Sequence, residues 1–446
     1  MSHRKVIQVE ERPPWIQTIP LSFQHLFAMF SASVFVPWYF GVKPAVVLLM
    51  NGVGTLLFIL ITKGKAPAFL GSSFAFLAAA GSLLAGTMDE NHVVTDQTLH
   101  ASQYSLALGG FVVCGAIFCI VAVIIGIFGT KWINIVLPPP AMGAVVMLIG
   151  LGLSGSAVSS VVPASNPNWK TILVFCVTLG VAVLGSVLFR KFFSVIPILT
   201  AIVVGYGLAA CLGMVNLTGI SKEHVVALQN FSLPTFQFGA IVAILPAALV
   251  VINEHIGHQI VTGKVVGRDL IKDPGLHRSM FADGVSTMLS GFFGSVPTTT
   301  YGENIGVMAV TKVYSVWVIG GAAVISIILS FFGQVSYIIQ NIPAPVMNGI
   351  SLLLYGMIAA SGIRLLVEAK VDYSRSRNLA LTAVILVIGL SGVSIQLDAK
   401  GNTLSGMTLA AVVGIVLSLI FYLFDKLHMT NDSDEDAADE QAIDPA

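Results

Sequence analysis

Two glutamates lie where a chain of this kind can least tolerate them. Glu254 falls in LPAALVVINEHIGHQIV and Glu303 in SVPTTTYGENIGVMAV, both within apolar runs. A carboxylate inside a bilayer costs roughly 3 kcal/mol even on lenient insertion scales, so such residues are functional candidates by default. His258 follows Glu254 by four residues and shares its helix face, whereas His255 points about 100° away. A carboxylate with a titratable imidazole beside it suits a site that binds hydrogen-bond donors and moves protons; the blander alternative is a structural polar pair between helices. Asp283 is a third acid within an apolar run. It comes five residues after Arg278 and reads as a helix-start residue near the membrane surface. His25, in LSFQHLF, reads as a packing or capping residue near the start of the first span. The order E-H-I-G-H is not the H-E-x-x-H of zinc hydrolases. No metal, cofactor or enzymatic activity is expected.

Glu303 follows PTTTY, where β-branched threonines after a proline disfavour helix, while ENIGVMAVTK can be helical. Ten helical residues rise about 15 Å, half a bilayer. The stretch therefore reads as a strand-like approach to the membrane centre followed by a half-helix whose first N–H groups are unpaired. GSSFAF (71–76) would do the same from the opposite side. Those N–H groups must be met by protein, water or a ligand. The competing reading takes GSS and TTT as close-packing positions on ordinary helices.

The elements that position these residues are membrane helices. The chain has 446 residues, 56% hydrophobic and 10% charged, with a mean hydropathy of +0.90; soluble domains carry about 25% charged residues. Apolar runs occur near 21–40, 44–62, 67–86, 104–128, 139–156, 171–189, 194–214, 238–261, 279–295, 297–311, 315–333, 344–363, 378–395 and 405–425, fourteen in all. They are too long and too uniform for barrel strands. Placing the N-terminus in the cytoplasm puts all 22 Lys and Arg except Lys43, Lys170, Lys222 and Lys400 on the cytoplasmic side, which sets both the count and the orientation. Both termini are then cytoplasmic, and the acidic end NDSDEDAADEQ reads as a disordered tail. Cys114, Cys119, Cys176 and Cys211 fall in apolar runs and read as packing residues rather than a disulfide or zinc framework. No basic cluster with interleaved aromatics points to nucleic acid. The loop TMDENHVVTDQTLH (87–100) suggests no function.

Three pairs of segments are alike in the same order. PAFLGSSFAF (67–76) pairs with PTTTYGEN (297–304), YSLALGG (104–110) with YSVWVIGG (314–321), and PPPAMGAVVMLIGLGLSG (138–155) with IPAPVMNGISLLLYGMIAASG (342–362). They relate spans 3, 4 and 5 to spans 10, 11 and 12. An offset of seven spans is odd, so the copies cross the membrane in opposite senses. Such inverted repeats are typical of secondary transporters, and paired interrupted segments are the best pointer to the binding site.

A site built here offers carboxylate acceptors, backbone N–H donors and aromatic faces such as Phe74 and Tyr301, with no intramembrane Lys or Arg for an anion. Two neighbouring acids resist double ionisation and would retain a proton. The ligand implied is small, planar and neutral, with both N–H and C=O groups; a nucleobase answers that description, and so do some amides.

The residues Glu303-Asn304-Ile305-Gly306, followed by Thr311-Lys312, resemble the signature of the nucleobase–ascorbate transporter family, or nucleobase–cation symporters. GFFGSVPTTTYGENIGVMAVTKVYS, LSFQHLFAMFSASVFVP, PAFLGSSFAF, EHIGH, KDPGLHRSMFADG and SLLLYGMIAASGIRLL resemble its bacterial uracil permease branch, and the likeness extends along nearly the whole chain. Xanthine and urate members tend to carry Gln at the position of Glu303, which favours pyrimidines. The resemblance implies an all-α polytopic membrane protein of fourteen transmembrane segments in a 7+7 inverted repeat, with short antiparallel strands in spans 3 and 10. It implies a core domain from 1–128 and 237–333 and a gate domain from 129–236 and 334–428, leaving 429–446 as the tail. By the same resemblance Glu254 accepts from ring N–H groups and Glu303 takes a second edge. Backbone N–H groups at Phe74 and Gly302 meet a carbonyl, the Phe74 ring packs on the base, and Tyr301 lines the site. His258 supports Glu254 in proton coupling, in which Glu303 also takes part, and Tyr355 contributes to the gate.

The function expected is proton-coupled uptake of uracil across the plasma (inner) membrane by alternating access. The partners are uracil, a proton and membrane lipid, with a homodimer through the gate as a further implication. The nearest rival is a symporter of xanthine, urate or another purine; a more distant one is an anion exchanger or channel.

Overall fold

The computed structural model describes residues 6–89, 92–130, 132–136, 138–159, 168–190, 193–216, 218–220, 231–393, 395–396, 403–404, 406–427 and 429. The acidic tail beyond Met429 lies outside the described residues, as do Lys222, Lys400 and residues 90–91 of the 87–100 loop. Helices α1 (Trp15–Tyr39) and α2 (Pro44–Ile61) lead to strand β1 (Leu70–Ser72), a 3-10 turn at Phe74–Phe76 and α3 (Leu77–Leu83). Then come α4 (Gln97–Phe128), α5 (Ile133–Val136), α6 (Pro139–Ser159), α7 (Trp169–Leu188) and α8 (Pro197–Cys211). They are followed by α9 (Phe238–Val266), α10 (Leu276–Phe292), β2 (Thr298–Thr300) and α11 (Gly302–Thr311). The chain continues through α12 (Val316–Ser330), α13 (Gly333–Gln340), α14 (Ala344–Glu368) and α15 (Ser376–Leu390). Two-residue strands β3 (Ile395–Gln396) and β4 (Thr403–Leu404) pair antiparallel before α16 (Gly406–Lys426).

Among the described residues, seven helices are long and apolar enough to cross a membrane: α1, α2, α4, α7, α9, α14 and α16. Shorter apolar helices cover 74–83, 139–155, 197–211 and 376–390, and α12 and α13 meet at 86°. Large side chains such as Ile120, Val123 and Ile127 on α4 and Val187 and Leu188 on α7 lie exposed, the arrangement of a surface solvated by lipid. This is a multi-pass membrane protein.

The chain divides into two compact units, Met1–Ile127 with Ser154–Leu354 and Phe128–Leu153 with Tyr355–Ala446. In the first, α2 packs against α10 and α12, and α1 runs along α12. Small residues let these backbones approach: a Cβ on Gly52 of α2 would come within 2.6 Å of the Ala323 carbonyl. Leu26, Met29, Phe58, Phe69, Met308 and Ile319 form the core around this contact. In the second unit α6 and α14 pack equally closely, with a Cβ on Gly362 reaching to 2.6 Å of the Gly143 carbonyl.

An extended N-terminal segment fastens one end of the first unit. Ile7 donates to the Lys312 carbonyl (3.0 Å) and accepts from Tyr314 N–H (2.9 Å), and Val9 accepts from Val316 N–H (2.9 Å). Glu10 pairs with Arg268 through both guanidinium nitrogens, and Lys65 with Asp273 at 2.8 Å. The Arg12 guanidinium lies over the rings of Trp15 (4.7 Å) and Trp317 (5.0 Å).

One expectation is narrowed and one corrected. Of the two roles read for His25, packing is the one found, because α1 begins at Trp15 and places it well inside the helix, buried. The cysteines are all free thiols, yet only Cys114 is fully buried; Cys176 and Cys211 are exposed on the outer surface rather than packed.

Candidate functional site

β1 and β2 pair antiparallel with Leu70 opposite Thr300, Gly71 opposite Thr299 and Ser72 opposite Thr298. Tyr301 N–H to Phe69 O (3.0 Å) and Ser73 N–H to Pro297 O (2.9 Å) close the ribbon at its ends. A two-stranded ribbon has two open edges, and inside a membrane bundle no water is there to satisfy them. Hydroxyls do so. Thr55 on α2 accepts from Leu70 N–H (2.9 Å), Thr287 on α10 donates to the Thr298 carbonyl (2.7 Å), and the Tyr301 hydroxyl donates to the Ser72 carbonyl (3.1 Å). Ser286 and Thr298 hydroxyls meet at 2.7 Å.

Each strand turns directly into a helix start. β1 leads through Ser73 to Phe74, and β2 leads through Tyr301, in β conformation, to Gly302. Neither helix start has a side-chain cap, so their first N–H groups stay available. α9 packs against the 3-10 turn, α3, β2, α10 and α11, and so passes both junctions.

These contacts gather the predicted residues of the first unit. Glu254 lies on α9 and Glu303 in the first turn of α11, two helices packed against one another. Both glutamates are half-buried. Glu254 makes no hydrogen bond to any described residue, and Glu303 accepts only from its own backbone N–H. Tyr301 is buried, held by its bond to Ser72. The half-buried Phe74 ring stands 6.0 Å from Phe35. Gly302 admits His258: a Cβ there would lie 3.1 Å from His258 Nε2. His258 shares the face of Glu254 but no hydrogen bond joins them; its Nδ1 lies 3.2 Å from Thr300 Oγ1. The structural Glu254–His258 pair is therefore not formed. Tyr355 belongs to the second unit, buried on α14 where its carbonyl faces Gly150.

Asp283 is the main surprise. It lies two turns into α10, fully buried, with Oδ2 3.2 Å from His255 Nδ1. The helix-start reading is overturned because α10 begins at Leu276, which carries Asp283 past the first turn and into the bundle. A signal was present. Ser279, Asp283, Ser286, Thr287 and Ser290 recur at spacings of three, four and one, a polar stripe along one helix face, and all are buried.

The fold is shared with solved structures. The transmembrane domain of the cyanobacterial bicarbonate transporter BicA superposes with a TM-score of 0.61 at 12% identity, over 93% of this chain and 100% of that one. The murine anion transporter Slc26a9 in its inward-facing state gives 0.66 at 11% identity, over 93% and 69%. Sequence comparison is narrower. The model of a permease family matches residues 16–397. The uracil permease of Escherichia coli K12 is 54% identical over 428 residues, 95% of this chain and 96% of the relative. That of Bacillus subtilis 168 is 42% identical over 435 residues, 94% and 96%. The chain belongs to this permease family, that of the nucleobase–ascorbate transporters.

Proposed function

We propose that the protein takes up uracil together with a proton across the plasma membrane, by alternating access. The observation that carries this reading is the pair of carboxylates with no hydrogen-bond partner on any other described residue, Glu254 and Glu303, beside two uncapped helix starts and an aromatic ring. Uracil presents ring N–H groups for the carboxylates, carbonyls for the N–H groups of Phe74 and Gly302, and a flat face for Phe74. The full-length likeness to uracil permeases supports the same substrate. The carriage of a proton is supported by two acids sharing one low-dielectric site, where neighbouring carboxylates resist double ionisation and retain a proton.

Within this reading β1 and β2 interrupt spans 3 and 10 of a fourteen-span, 7+7 inverted repeat with both termini cytoplasmic. The core comprises 1–128 and 237–333, and the gate 129–236 and 334–428, with Tyr355 on the gate and a homodimer formed through it. The core rocks against the gate around the site. His258 supports Glu254, and Tyr301 lines the pocket. The anion-transporter likeness of the fold favours a second reading as an anion carrier, and the two acids with no intramembrane Lys or Arg weigh against it.

The test is uptake of radiolabelled uracil into proteoliposomes with and without an inward proton gradient, competed by uracil, thymine, xanthine and adenine. Gradient-driven uptake blocked by uracil and not by xanthine is expected. Uptake blocked by xanthine instead overturns the substrate, and currents carried by anions without proton flux overturn the mechanism.

A further inference from the structure

Behind the carboxylates lies a second polar cluster that substrate recognition leaves unused. His255 and Asp283 are both fully buried, Nδ1 to Oδ2 at 3.2 Å. His255 Nε2 lies 3.0 Å from Ser279 Oγ, and the Ser279 hydroxyl donates to the Leu276 carbonyl at 3.1 Å. That commitment makes Ser279 Oγ an acceptor, so Nε2 carries a hydrogen. Nδ1 then faces the carboxylate either with a hydrogen of its own, as imidazolium against carboxylate, or bare, against a protonated acid. A bare nitrogen against an ionised carboxylate would set lone pair against lone pair in a dry interior. Either allowed arrangement leaves one proton between the two residues.

This pair is connected to the substrate side. Thr300 Oγ1 lies 3.5 Å from His255 Nδ1 and 3.2 Å from His258 Nδ1, so one hydroxyl of β2 touches both histidines. His258 shares the helix face of Glu254. The remaining groups around the pair come from every neighbouring element. Phe58 of α2 presents its ring edge-on to His255 at 6.3 Å, Thr299 of β2 and Cys119 of α4 face Asp283, and Glu254 of α9 feels both Asp283 and Glu303 of α11. No Lys or Arg is among these neighbours.

We propose that Asp283 and His255 are a proton-holding pair, wired to His258 by the Thr300 hydroxyl, so that the transported proton is shared between this pair and the substrate-side carboxylates. In the transfer, Thr300 Oγ1 takes the proton of His255 Nδ1 while its own hydroxyl proton passes to His258 Nδ1. One N–H and one O–H bond break and one of each forms: starting from the imidazolium–carboxylate form, His258 becomes the imidazolium, and the pair is left transiently in the costly arrangement of bare Nδ1 beside ionised Asp283, which draws a proton back. The inference rests on the proton-coupled reading above. Asp283, His255 and Thr300 act as positioning and relay residues and do not touch the substrate.

The experiment uses full-length protein in proteoliposomes with two readouts: uracil counterflow at equal pH, which needs no net proton movement, and accumulation against a gradient with protons counted by a pH dye. Wild type is measured first. If its accumulation ignores the proton gradient, the proton-coupled reading itself fails and this inference falls with it. Given a coupled wild type, Thr300→Val and Asp283→Asn should keep counterflow, lose at least about tenfold in gradient-driven accumulation and flatten its pH profile. Thr300→Ser, which restores the hydroxyl, should accumulate like wild type. Wild-type protons per uracil in Thr300→Val and Asp283→Asn would overturn the relay alone. So would equal losses in both assays for Thr300→Val and Thr300→Ser, the signature of a packing role.

Discussion

Two groups of charged residues in the first unit follow opposite rules. At the exposed end, Glu10 meets Arg268 and Lys65 meets Asp273, each acid matched with a base. Around the strand pair, the ribbon's outward polar groups are matched by Thr55, Thr287 and Tyr301, while Glu254 and Glu303 have no Lys or Arg partner among the described residues. Pairing in water is cheap and contributes little, typically about 0.2–1 kcal/mol. Leaving acids unpaired in a membrane is costly, and the surrounding ribbon shows that hydroxyl partners could be supplied there when the fold needs them. The contrast is what makes the two glutamates the candidate ligand groups of the proposed function.

The sharpest way to break that contrast is Glu254→Ala. It should cripple uracil binding, a loss of about 1.5–3 kcal/mol for each charge-assisted contact, or roughly ten- to a hundredfold in affinity. Calorimetry or a scintillation proximity assay reads it, and unchanged affinity refutes the site. Next comes Thr287→Val, which leaves the buried Thr298 carbonyl unpaired at a cost of about 1–3 kcal/mol. It should lower the unfolding temperature in detergent, and Thr287→Ser should recover most of the loss. Glu303→Gln keeps an acceptor and adds a donor. It should alter affinity by about tenfold or less and shift preference towards purines. Competition by xanthine would show this, and identical selectivity would remove Glu303 from the contact set.

The smallest effect belongs to the exposed pair. The Arg268 guanidinium holds the Glu10 carboxyl below the usual carboxylate range. A depressed acid stabilises the fold above its unfolded value, near 4.3, and that contribution is lost as pH falls through the lower folded value. Glu10→Gln should therefore cost well under about 1 kcal/mol at neutral pH, vanish in high salt and cost nothing at pH below that window. A large, salt-independent loss in thermal unfolding would mean that the strap at Ile7–Val9 depends on the pair rather than on its backbone bonds.

Much of this was legible from the chain because hydropathy and helical period are local. The helices α2, α4, α7, α9 and α16 start and stop within a few residues of the apolar runs at 44–62, 104–128, 171–189, 238–261 and 405–425, apart from extra turns at the start of α4 and the end of α9. The i, i+4 relation put Glu254 and His258 on one face, and the sequence alone made their acids conspicuous in an apolar wall. It also misled at Asp283, which read as a helix start because neighbours in sequence were the only partners in view; the structural Glu254–His258 pair, the blander alternative, is not formed.

The apolar runs, the positions of the intramembrane carboxylates and the non-helical character of PTTTY were determined by the sequence alone, since each is set by residue types within a turn or two. Tertiary structure decided the partners. His258 took Thr300, 42 residues on, and His255 took Asp283 on the next helix; Thr55 found Leu70, and Tyr301 found Ser72, 229 residues away. Those choices depend on the register of the antiparallel ribbon and on how closely small residues let the helices approach. A one-residue slip in that register would turn Thr300 to the other face of the ribbon.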